Sequence, residues 1–177
     1  MIQLQTERLI LEGVSPTIIS EFFRTKSHEE IKHYFGLDVL AFEHYQAMYE
    51  QGMETNRISL YFFLLRDKQN MTPIGECGFH TWNKFHRRAE LFYLLRKDEY
   101  KNKGLMTEAL AKVIAYGFNE LNLHRLQGMV DPANEASIKL LIKNKFVKEG
   151  IAREDYNVDG TNEDSVCYSL LKPEWEG

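Results

Sequence analysis

Cysteine, proline and long apolar runs are all scarce in this chain. Cys77 and Cys167 are the two cysteines among 177 residues, too few for a disulfide framework and wrongly spaced for a metal site. Both are expected as ordinary buried thiols on strands, and no metal is expected. No apolar run approaches the ~20 residues that a membrane span requires. The segment Met1 to Leu11 carries Glu7 and Arg8 and lacks the apolar centre of a secretory leader. A soluble cytoplasmic protein with no membrane partner is the expectation. An excess of positive charge is missing too. Lys and Arg number 22 against 26 Asp and Glu, a net charge of −4. That balance argues against a general nucleic-acid binder, though not against a local basic patch. The four prolines and 11 glycines form no low-complexity linker or solenoid repeat. What is present suffices for a core: 44% of residues are hydrophobic and 12% aromatic. A single domain over residues 1–177 is expected.

Periodicity gives the order of elements. Leu4 to Leu11 reads as a strand. Ser15-Pro16 is a helix start, with Ser15 as N-cap and Pro16 in the first turn. Pro16 to Tyr34 and Ala41 to Glu54 read as helices. Ile58 to Arg66, Ile74 to Trp82 and Arg88 to Leu95 alternate as consecutive strands. Leu105 to Leu121 is a long helix in which Met106, Leu110, Val113 and Gly117 share one face. Arg125 to Asp131 reads as a strand, Asn134 to Lys143 as a helix, and Val147 to Tyr156 and Val166 to Leu171 as strands. Asp159-Gly160 supports a hairpin between the last two. The pattern predicts a mixed α/β (α+β) sheet protein.

One segment carries a chemical signal of its own. Tyr100-Lys101-Asn102-Lys103-Gly104-Leu105-Met106-Thr107-Glu108 runs from a strand, through a basic turn, into the long helix. A helix N-terminus has free N–H groups and the positive end of the helix dipole, so it favours an anion such as a phosphate. Lys101 and Lys103 add mobile positive charge. Gly104 permits close backbone approach, and Asn102 is the non-glycine type that best tolerates positive φ. A helix that merely follows a charged turn would look the same.

A second segment, Asn134-Glu135-Ala136-Ser137, follows the short strand at Leu126 to Val130. Taken with Ala89-Glu90-Leu91-Phe92-Tyr93, His124-Arg125-Leu126, Phe146 to Gly150 and the tail Tyr168 to Leu171 with Trp175, the ordered set resembles the GNAT acyltransferases. It is most similar to their Rim type, the RimJ/RimL-like ribosomal-protein N-terminal acetyltransferases. Thr6-Glu7-Arg8-Leu9-Ile10-Leu11 resembles that group's first strand. The resemblance implies a central, mostly antiparallel twisted sheet flanked by helices. Its central strands, Arg88–Leu95 and Arg125–Asp131, would splay to admit a pantetheine arm. It implies acetyl-CoA as cofactor and an amine-bearing acceptor, a ribosomal-protein N-terminus first among them. A small-molecule amine (polyamine or antibiotic) is the runner-up. A non-catalytic acyl-CoA-binding protein is the alternative from another class. A homodimer through the exposed edge of the last hairpin is compatible with the pattern.

The resemblance also implies roles for residues. Backbone N–H groups of Leu94 and Leu95 hold the pantetheine and polarise the thioester carbonyl, and Asn102 to Thr107 hold the pyrophosphate. Asn134 bonds the pantetheine or simply caps its helix. Ser137 lies near the thioester sulfur as a proton donor, or makes a local first-turn bond. Many relatives place a tyrosine acid where this chain has Leu141, which speaks against a polyamine substrate. The usual Trp-Gly before Lys-Gly is Lys101-Asn102, and the usual glycine before Phe146 is Lys145. A carboxylate base found in some Rim-type enzymes falls here on Tyr156, with Glu154 and Asp155 beside it. Glu90 could reach the cleft through water or remain a solvated strand carboxylate. Glu108 is expected to stabilise its helix terminus. His80, His86, Arg87 and Arg88 read as a solvated face, and His124 as structural. Tyr34 and Phe35, with His28, Glu29 and Glu30, fall in the region that lines the acceptor side in this fold.

Overall fold

The computed structural model describes residues 1–52 and 59–177. Eight strands form one sheet: β1 (Gln3–Gln5), β2 (Leu9–Val14), β3 (Ser59–Asp67), β4 (Pro73–Asn83), β5 (Arg88–Leu95), β6 (Arg125–Val130), β7 (Val147–Val158) and β8 (Thr161–Leu171). Among the described residues six helices accompany them: α1 (Pro16–Thr25), α2 (His28–Phe35), α3 (Val39–Gln51), α4 (Leu105–Asn119), α5 (Glu135–Lys143) and α6 (Lys172–Glu176). The sheet order is β1-β2-β3-β4-β5-β6-β8-β7. Every neighbouring pair is antiparallel except β5 and β6. Among the described residues, no helix is long and apolar enough to cross a membrane.

The middle of the sheet is covered on both faces, and β3 shows why its run from Leu60 to Leu65 is apolar. Phe63 and Leu65 enter the core under α4, while Phe62 and Leu64 enter the core under α1–α3. Alternation sends successive side chains to opposite faces, and both faces here are dry. Met106, Leu110, Val113 and Gly117 of α4 are all buried as expected.

Several boundaries differ from the sequence expectation. The strand expected at Leu4 to Leu11 is a hairpin, because Thr6 turns the chain. Its hydroxyl accepts from the Leu9 N–H at 3.0 Å, and Leu4 pairs with Leu11. The helix expected over Pro16 to Tyr34 breaks at Ser27, which begins α2 with a capping box. Ser27 Oγ accepts from the Glu30 N–H at 3.3 Å, and Glu30 Oε2 accepts from the Ser27 N–H at 2.8 Å. Asp38 starts α3, accepting from the Ala41 N–H at 2.8 Å. Glu54 and Ile58, the expected ends of a helix and a strand, lie outside the described residues. The last hairpin turns where Asp159-Gly160 predicts. Both residues have positive φ, 49° and 86°, as a type I′ turn requires. Its strands pair right up to the turn, Val158 with Thr161, so β7 and β8 extend past the expected ends into polar sequence.

Arg125 and Glu149, from two separate motifs, meet in an ion pair at the base of the sheet. Both Arg125 terminal nitrogens donate to the Glu149 carboxylate, at 2.6 and 2.5 Å, and Ser169 Oγ donates at 2.7 Å. The Arg125 hydrogen bond first, then that of Ser169, hold the Glu149 carboxyl down at about 2. A depressed carboxyl stabilises the fold above its unfolded value and stops doing so as pH falls through its folded one. The stability difference between wild type and Glu149→Gln, from urea midpoints, should therefore be largest near neutral pH. It should shrink as pH drops from about 4.5 toward about 2. The carboxylate is 42% exposed, so solvent screening keeps the effect modest.

Candidate functional site

The basic turn folds as a left-handed corner. A single 3₁₀ turn, Asp98–Tyr100, precedes it. Asn102 (φ 58°) and Gly104 (φ 76°) then bend the chain into α4. Gly104 is the N-cap and supplies no side chain to the helix end. The first helical bond there runs from the Glu108 N–H to the Gly104 carbonyl oxygen at 3.1 Å. The N–H groups of Leu105, Met106 and Thr107 thus lack intrahelical acceptors by geometry. Arg8, from the turn between β1 and β2, braces this corner. Its guanidinium donates to the Lys103 carbonyl at 2.9 Å and to Glu108 Oε2 at 2.8 Å, and its N–H donates to Glu108 Oε1 at 2.8 Å. Burial opposes the Glu108 charge, but hydrogen bonds from Thr6 and Arg8 outweigh it and keep this carboxyl below its usual range. Glu108 is therefore the tie between the first hairpin and the turn.

The sheet opens beside that turn. β5 and β6 pair only from Arg88 to Glu90 and from Arg125 to Gln127. Beyond, each strand stays with its other neighbour, β4 or β8, and the two part. Arg96 N–H donates to Ile74 O at 2.9 Å. Alternation along β5 therefore turns the Leu95 N–H into the gap and the Leu94 N–H toward β4. The Leu94 side chain is exposed.

Two cavities meet in the opening. The larger, about 430 Å³, runs from the basic turn to α5, bounded by Leu95, Asn102, Gly104, Thr107 and Lys143. The smaller, about 260 Å³, is bounded by His80, Glu90, Asp131, Asn134 and Tyr156. Tyr93 and Ser137 line both. Burial pushes the Tyr93 phenol up, with the Ser137 hydroxyl beside it working the other way. Asn134 caps α5, its carboxamide oxygen accepting from the Ser137 N–H at 3.0 Å. The sequence candidates Glu90, Ser137 and Tyr156 thus come from three distant segments to one cavity. Tyr156 Oη donates to Glu90 Oε1 at 3.4 Å. Burial, then the charges of Glu90 and Asp155, raise the Tyr156 phenol.

Three expectations change. His80 is not on the solvated face with His86, Arg87 and Arg88. It turns into the smaller cavity, with Nε2 3.4 Å from Glu90 Oε1. Its Cα lies opposite that of Glu90, the last pair of an unbroken register along β4 and β5. Cys77 is fully buried and its thiol raised, chiefly by desolvation, but Cys167 is only half-buried, near Glu149 at 3.5 Å. None of the group around Tyr34 lines either of these two cavities. Phe35 is in the core, Glu30 is turned back on Ser27, and Tyr34 donates to Glu12 at 3.1 Å. The departures in sequence have a simple backbone outcome: Asn102 and Lys145 (φ 65°) both adopt the left-handed conformation that favours glycine.

A cavity ending at a free helix N-terminus, lined by lysines and floored by a strand with an inward N–H, fits the diphosphate and pantetheine of coenzyme A. The comparisons with known proteins agree. Residues 8–147 match the acetyltransferase (GNAT) domain. The chain is 33% identical to the uncharacterized N-acetyltransferase YoaA of Bacillus subtilis, over 96% of this chain and 97% of that one. Mutant forms of the spermidine/spermine N-acetyltransferase SpeG from Vibrio cholerae share its fold, with a TM-score of 0.70 at 22% identity, covering 96% and 98% of the two chains. The ribosomal-protein-S5-alanine acetyltransferase from Vibrio fischeri does so with a TM-score of 0.70 at 21% identity over the whole of both. The chain belongs to the GNAT family and is an N-acetyltransferase.

Proposed function

We propose that this enzyme transfers an acetyl group from acetyl-CoA to a primary amine, the α-amine of a protein N-terminus, in a ternary complex. The observation that carries the reading is the meeting of the two cavities at Ser137 and Tyr93. One cavity has the features for the diphosphate, and the other, lined by carboxylates, suits an approaching amine. Acetyl-CoA supplies an activated acyl group as a thioester. The residues around it orient, polarise and move protons. The inward N–H of Leu95 suits the carbonyl oxygen as it gains charge. Asn102 to Thr107, with Lys101 and Lys103, would hold the diphosphate. Ser137 would protonate the departing sulfur, a modest task for a thiol of pKa about 8.5. An α-amine titrates at about 7.7–8.0, so an appreciable fraction is neutral near pH 7 and a weak base such as Glu90 suffices. Leu141 is fully buried, so its position offers no acid, in keeping with a Rim-type substrate. The acceptor cavity's Glu90 and Asp131 would also suit a polyamine, which is the second reading.

Peptides with free N-termini, their N-acetylated forms, spermidine and an aminoglycoside discriminate these when CoA release is followed. Turnover on free peptide N-termini alone supports the proposal, and turnover on spermidine alone overturns it. In the same assay Ser137→Ala should lower kcat about tenfold, at the low end for general acid catalysis, with acetyl-CoA affinity unchanged. An unchanged kcat would leave Ser137 a structural residue. A cytoplasmic, single-domain enzyme that pairs through the edge strand β7, where Val147 and Ile151 are exposed, completes the reading.

A further inference from the structure

His80 stands directly opposite Glu90 at the end of an unbroken register, just before a bulge. Cα register runs from His80↔Glu90 to Asn83↔Arg88, so β4 holds one more residue than β5 between these pairs. Thr81 takes up the extra length in the left-handed region, φ 50°, a conformation that a β-branched residue adopts only where its surroundings impose it. The bulge sets Thr81 Oγ1 2.8 Å from His80 Nδ1. His80 Nε2 then lies 3.4 Å from Glu90 Oε1, the oxygen that also receives the Tyr156 hydroxyl. The Phe92 ring packs against the imidazole at 5.7 Å. Both ring nitrogens and one ring face are therefore engaged. The Glu90 side chain is 12% exposed, and His80 and Tyr156 both meet it at the same oxygen.

We propose, resting on the acetyltransferase reading above, that His80 is the positioning residue for Glu90. The Thr81 hydroxyl donates to Nδ1, which leaves the imidazole proton on Nε2. The Nε2–H and the Tyr156 hydroxyl together fix Oε1, and Oε2 is presented to the acceptor amine. A proton passes from the ammonium to Oε2. The N–H bond breaks, its electron pair stays on nitrogen, and that pair forms the new bond to the acyl carbon. Glu90 releases this proton to solvent through the open cavity. The acyl C–S bond breaks with its electron pair leaving on sulfur, and the second proton that nitrogen sheds balances the one taken up by that sulfur. Long contacts of 3.4 Å are expected before the amine binds, since such bonds tighten in the reactive complex.

The test is a cycle of variants assayed on a peptide N-terminus, with acetyl-CoA affinity measured by calorimetry in each. His80→Ala should lower kcat about tenfold while the amine KM and the acetyl-CoA Kd hold. His80→Gln, whose carboxamide N–H can reach Glu90, should recover most of the loss. In a Glu90→Gln background, His80→Ala should have no further effect, because it acts through Glu90. Losses that add, or equal losses for His80→Ala and His80→Gln, overturn the proposal. Failure of the underlying reading looks different: the wild type itself turns over no amine. The His80 arrangement then remains readable by nitrogen-15 NMR of the ring. A proton on Nε2, with a resonance that moves in Glu90→Gln, supports the pair. A proton on Nδ1, or an unmoved resonance, overturns it.

Discussion

Gly104→Val should leave the protein folded and nearly unable to bind acetyl-CoA. Gly104 sits at φ 76°, and a Cβ there would meet only Arg8 Nη2, at an ordinary 3.6 Å. Crowding is therefore not the cause. An L-residue held left-handed costs about 1–2 kcal/mol; if the free corner relaxes out of that conformation and must return to it on binding, the cost appears as roughly tenfold in affinity at about 1.4 kcal/mol per decade. The γ-methyls of valine, standing where the diphosphate would approach, raise the loss to the order of a hundredfold. Calorimetry measures it, and an unchanged circular dichroism spectrum shows that the fold survives. Gly104→Ala should fall between. Normal binding by Gly104→Val would show that this corner does not hold the diphosphate.

The largest effect on stability should come from Leu141. Its side chain is fully buried in the core under α4. A Cβ built on Gly128 would lie only 3.1 Å from one of its methyls, so no space surrounds it. Leu141→Ala should cost about 2–5 kcal/mol from lost transfer energy and the cavity left behind. In a chain of this size that lowers Tm by roughly 4–20 °C. Leu141→Tyr, which restores the tyrosine many relatives carry, should not restore an acid. Overpacking costs about 1–3 kcal/mol, and the hydroxyl would be driven into an apolar core. A Leu141→Tyr protein as stable as wild type, with activity independent of Ser137, would show that the position opens to the cavity after all.

How much was legible depended on whether regular alternation held. Arg88 to Leu95 was read to the residue because its period of two runs unbroken. The start of α5 was legible because Asn134 is both motif and cap. The basic turn was legible because positive φ selects Asn and Gly, and the structure uses both residues in that way. His80 is misplaced by its nearness to the hairpin at Asn83 to Arg87, because the regular register of β4 runs on through His80 and turns irregular only after it. The break at Ser27 was missed although Ser27 and Glu30 have the spacing of a capping box, since the apolar period of α1 runs on toward Ile31 and Phe35. The ends of β7 and β8 were missed because polar ribbon beyond the core lacks a buried face to pattern it. The site residues come from β4, β5, α5 and β7, and their meeting depends on the parting of β5 from β6, which neither strand's sequence encodes by itself.

The Arg8 brace gives the enzyme a form of thermodynamic reciprocity. One arginine ties the first hairpin to both the carbonyl of Lys103 and the carboxylate of Glu108. Whatever order the corner would gain from a bound diphosphate would therefore be shared with β1 and β2, and whatever loosened that hairpin would be felt by the ligand in equal measure. If this corner holds the diphosphate as proposed, the N-terminal strands, although distant from any reacting atom, would hold part of the binding free energy for the acyl donor. Sequence drift in the Thr6-Glu7-Arg8 turn would tune donor affinity without altering a single residue that touches it.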